Sequence, residues 1–126
     1  METMTSEQNG TAVGLCVLRP ADIDALPMAP VPGCPGVVVR QVWRSGDLHD
    51  VLLSYGPGAA TPGCPHDGAD HHIWVVRGSA LIGGRHIEAG SYVHVPPGVA
   101  HPILATDPAG CLLLQVHRPV RTASGG

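Results

Sequence analysis

The chain has 126 residues, a length that suits one compact domain and leaves no room for two. It has no lysine, and its seven dispersed arginines against ten carboxylates give a formal net charge of −3, which argues against a nucleic-acid or anionic-membrane footprint. Hydrophobic residues make up 44% of the chain without a single Phe, so Val, Leu, Ile and Ala must fill the core, and such a core favours a tightly packed sheet.

Residues 1–12 are polar, without the basic and apolar stretches of a signal peptide, and no apolar run nears the ~20 residues that span a bilayer; a soluble cytoplasmic protein is expected. Residues 13–18 suit a first short strand, and 21–26, opened by Pro20, one helical turn. The Pro-rich stretch 27–35 then excludes regular structure, so 1–36 reads as a partly irregular arm. From Val37 onward short β-branched runs recur between turn signals, at 37–43, 51–55, 72–76, 80–82, 85–87, 92–95, 101–105 and 112–116, with Gly83-Gly84 as a hairpin turn. Strands this short and regular, without a long amphipathic helix, predict an all-β antiparallel barrel or sandwich over 37–118, followed by a flexible tail at 119–126. Cys16, Cys34, Cys64 and Cys111 are unevenly spaced with no CxxC, which predicts free thiols in a reducing compartment.

Chemistry concentrates between Cys64 and His101. Cys64, His66, His71 and His101 have spacings that can converge on one metal ion, and imidazole nitrogens bind divalent metals well. Alternate side chains of a strand share a face, so Cys64 and His66 can point to one side, and only one of His71 and His72 can point inward. His49, His86, His94 and His117 fall outside this spacing, and none is expected in the site.

The string GSYVHVPPGVAH at 90–101 resembles the second motif of the cupin superfamily, matching it at Gly90, Pro96, Gly98 and His101 with Ala105 in place of the usual Asn. The first cupin motif finds its register at Gly58, Cys64, His66, His71 and Gly78, so Cys64 replaces a histidine and His71 replaces the glutamate. The resemblance implies a small antiparallel cupin barrel (a double-stranded β-helix or jelly roll). Within it His66, His71 and His101 hold one divalent ion, iron or zinc ahead of manganese or nickel. Cys64 is either a fourth ligand or a small buried neighbour. Without the glutamate the ligand set is similar to the three-His sites of thiol and diketone dioxygenases. The strings at 71–78 and 90–98 also resemble zinc-binding polyketide cyclases, so the resemblance implies a metal-dependent enzyme acting on a small enolisable substrate. The stretches 51–58 and 110–114 are similar to the sensor cupin of ChrR-type anti-sigma factors, which implies a non-catalytic alternative. Tyr55, Trp74, Tyr92 and Arg40 are the candidate substrate-lining residues, and a homodimer is the expected assembly.

Overall fold

The computed structural model describes residues 14–65 and 68–120. Among these residues one short helix, α1 (Pro20–Asp24), precedes nine strands: β1 (Ala29–Pro30), β2 (Val37–Ser45), β3 (Leu48–Tyr55), β4 (Ala60–Thr61), β5 (Ala69–Ile82), β6 (Arg85–Glu88), β7 (Tyr92–Val95), β8 (Ile103–Ala105) and β9 (Cys111–Pro119). All pairings are antiparallel. The order β1-β2-β3-β9-β5-β8-β4, with β6 and β7 also on β5, is that of one continuous curled sheet. A curled antiparallel barrel is what the sequence predicted.

β5 organises the barrel because it serves both halves. Its first half pairs with β9 and β7, and its second half with β6 and β8. A register shift against β9 between Val75 and Arg77 switches the buried parity from Ala69, His71, Ile73 and Val75 to Ala80 and Ile82. Gly78 follows this bend with φ +78°, and a Cβ there would stand 2.0 Å from the Gly110 carbonyl oxygen, so the bend requires glycine. The inner faces enclose a core in which Ile73, Leu113, Val37 and Val75 are the largest fully buried side chains. Burying an aliphatic side chain of this kind stabilises the fold by roughly 1.5–3 kcal/mol.

Three local expectations need correction. Residues 14–18 form no strand, because nothing in the sheet pairs with them. The Pro-rich stretch is not devoid of regular structure: Ala29 and Pro30 pair with Val39 and Val38, a placement open to proline because β1 is a sheet edge. The two-residue strand Ala60–Thr61 was not anticipated, since two residues carry no periodicity. The helical turn does form, with Pro20 at its start and the Asp22 carboxylate accepting from the Arg19 amide at 2.9 Å. Among the described residues no helix is long and apolar enough to cross a membrane.

Candidate functional site

Cross-strand register builds the site. His49 on β3 pairs with His117 on β9, His117 pairs with His71 on β5, and His71 pairs with Val95 on β7. Directly opposed residues share a face, and His71 and Val95 are buried, so these four form one inward-pointing row. Below it lie Val51, Gln115, Ile73 and Val93, and deeper still Leu53, Leu113 and Val75. Three histidines thus form the last layer of an interior that is aliphatic below them apart from Gln115.

His71 and His101 are the two buried polar side chains of the described core, only 4% and 6% exposed. Their rings meet edge-on with centroids 5.3 Å apart. His71 Nε2 lies 2.8 Å from His117 Nδ1, so one of these nitrogens donates and the other accepts. The His49 ring stacks on His117 at 4.4 Å. His101 is fixed through its backbone, its amide donating to the Gly63 carbonyl at 2.8 Å. Gly63 has φ +58°, and a Cβ there would sit 2.0 Å from the His101 carbonyl oxygen, so close approach of the two motif segments demands glycine.

Of the sequence-derived ligands, His71 and His101 come together inside the barrel. His66 lies outside the described residues. Cys64 is exposed rather than buried beside the site, and Cys34, Cys64 and Cys111 are free thiols. His72 faces outward as the alternation requires, stacked on Tyr92 and His94, and its Nδ1 is hydrogen-bonded to the Tyr92 hydroxyl. His117, expected outside the site, instead bonds to His71. The β5–β9 pairing that brings it there joins residues 46 positions apart, which motif spacing cannot show.

The four residues expected to line a substrate pocket lie away from the histidine row, Tyr55 in a separate cavity of about 430 Å³. Trp74 and Tyr92 pack together on the outer face, 43% and 47% exposed, and Arg40 shares their cross-strand row. Tyr55 is buried with Cys111 at the far end of the barrel, its hydroxyl 2.8 Å from Thr61 Oγ1, and burial pushes its pKa up to about 12. A cavity of about 750 Å³ opens instead at the histidine end, where His49 and His117 form its wall with Gln41, Arg44, Asp47 and Pro65.

Among the described residues no three His, Cys, Asp or Glu side chains converge as a finished metal cage, so the fit to an ion rests on the chemistry of the donor set. Clustered imidazoles in a largely apolar interior, with His49 and His117 open to the cavity, are donors suited to zinc, iron or nickel and poorly suited to calcium or magnesium. That donor set fits a transition-metal ion.

The fold and this site define a cupin. The chain belongs to the family of ChrR cupin-like domains, whose model matches residues 17–121. No curated protein matches the sequence. Among solved structures, the polyketide cyclase RemF from Streptomyces resistomycificus superposes with a TM-score of 0.66 at 18% identity, over 82% of this chain and 80% of that one. KdgF from Halomonas sp. gives 0.65 at 25% identity, over 78% and 92%. ChrR from Rhodobacter sphaeroides, solved with SigE, gives 0.65 at 20% identity; the match covers 76% of this chain but only half of ChrR.

Proposed function

We propose that this protein is a metal-dependent cupin enzyme acting on a small enolisable organic substrate, by dioxygenase-type or polyketide cyclase/isomerase-type chemistry. The observation that carries the reading is the imidazole row His49–His117–His71, with His101 against it, opening into a substrate-sized cavity. His71, His101 and His117 would hold the ion, with His66 from the first motif. Such an ion, when bound, supplies Lewis-acid polarisation of a carbonyl or enolate oxygen. The protein's own part is positioning. The bond to His71 fixes the His117 ring, His49 stacks against its face, and the aliphatic layers below exclude water from the buried side. A homodimer is the assembly in this reading, supported by the exposed outer-face side chains of Trp74, Val76 and Tyr92.

A ChrR-like sensor is the second reading, favoured by the family match. Metal analysis by mass spectrometry after anaerobic purification, with oxygen uptake on diketones, separates the readings. Iron with uptake supports the dioxygenase, and zinc with substrate turnover but no uptake supports the cyclase or isomerase. Metal-free protein without turnover would overturn the enzyme reading, and tight binding to a sigma factor without turnover would replace it with the sensor.

A further inference from the structure

We propose that the mouth cavity takes a small monocarboxylate, with the Arg44 guanidinium gripping its carboxylate and the neutral oxygenated end turned toward the histidine row; this rests on the enolisable-substrate reading above and names its substrate class. Along β2 the inward side chains are Val37, Val39 and Gln41, so regular alternation would place Arg44 on the outer face with Arg40. A bulge between Gln41 and Trp43 inserts one residue, after which Trp43 pairs with outward-facing Asp50 and Arg44 pairs with His49. The bulge therefore turns Arg44 into the mouth, where it lines the cavity with Gln41, His49 and His117.

Among the described residues Arg44 is a cation without a carboxylate partner. Its Nε donates to the Gly46 carbonyl at a long 3.4 Å, and no acidic side chain among the described residues lies within ion-pair distance. Arg118, by contrast, is already paired with Asp50 at 3.0 Å and sits over the Trp43 ring. A planar guanidinium on a cavity wall matches a carboxylate by paired hydrogen bonds. Asp47 on the same wall disfavours a second negative group, which limits the ligand to one anionic end. The neutral end meets His117 and His49, so a β-keto acid is the simplest molecule that satisfies both ends.

The test compares two isosteric probes, acetoacetate and acetoacetamide, titrated into the full chain at fixed metal content and followed by backbone amide shifts. Acetoacetate is expected to bind about tenfold tighter, the size of one charge-assisted contact at a solvated wall. The shifts should centre on Gly46 and Gly68. Arg44→Gln should bring the probes to parity and Arg44→Lys should keep part of the preference. Both variants should fold, since the side chain makes one long bond and is exposed. Equal affinity of the wild type for both probes, or a preference that survives in Arg44→Gln, overturns the inference and leaves the enolisable-substrate reading standing. If neither probe binds the wild type, the monocarboxylate inference falls, while the enolisable-substrate reading is decided by the metal analysis and turnover described above.

Discussion

Replacing Tyr55 with Phe tests the far end of the barrel, where a phenol is buried with its pKa pushed up to about 12 by desolvation, against an ordinary value of 10. The folded state holds the proton more tightly than the unfolded chain, so between pH 10 and 12 it binds more protons and stability falls as pH rises. Below pH 10 both states are protonated and the full stability is present. Over the whole window the loss is about 2.7 kcal/mol, and by pH 11 about 1.4 kcal/mol has gone. Tyr55→Phe removes this titration, and with it the 2.8 Å bond to Thr61, worth about 1 kcal/mol. Wild type should therefore be the more stable protein at pH 8, and the two should be level or slightly reversed at pH 11. Burial also pushes the Cys111 thiol up, to about 11, which adds a loss of the same sign, but it is common to both proteins and largely cancels. Urea unfolding at pH 8, 9, 10 and 11 gives the difference directly. A gap between the two proteins that stays constant from pH 8 to pH 11 would refute the reasoning.

Three further outcomes are expected. His101→Ala and His117→Ala should each lower metal affinity by roughly 10–100-fold while His72→Ala leaves it unchanged, read as metal-to-protein ratio after dialysis against a weak chelator; loss in the His72 variant alone would mean that the inward face has been misread. Leu113→Ala empties a fully buried site and should cost about 3 kcal/mol, lowering Tm by roughly 10 °C in a thermal melt, and a shift under 3 °C would contradict the packing. At pH 8 an alkylating probe should modify exposed Cys64 quickly and spare Cys111, whose thiol is buried and protonated, until urea is added; mass spectrometry of the labelled peptides decides, and equal rates would sink the assignment.

Much of the fold was legible in the sequence because strand alternation and turn chemistry are local. The parity of His71 and Ile73 against His72 and Trp74, the Gly83-Gly84 hairpin and the strand Tyr92–Val95 all follow from neighbours within a few residues. The resemblance of the two glycine-rich motifs to those of cupins likewise pairs His71 with His101 from sequence, and the two rings do meet in the barrel. Only the tertiary structure decided what the rest of the row contains. His117 reaches His71 through a strand pairing 46 residues long in sequence, and His49 reaches His117 through another across 68 positions. Arg44 faces the mouth because a single inserted residue in β2 reverses its parity, and the sequence of β2 alone does not reveal that bulge. Trp74, Tyr92 and Arg40 lie on the outer face and Tyr55 lines a separate cavity at the far end for the same reason: which face and which end of a closed barrel a side chain occupies depends on register with distant strands, set by the burial of the whole core.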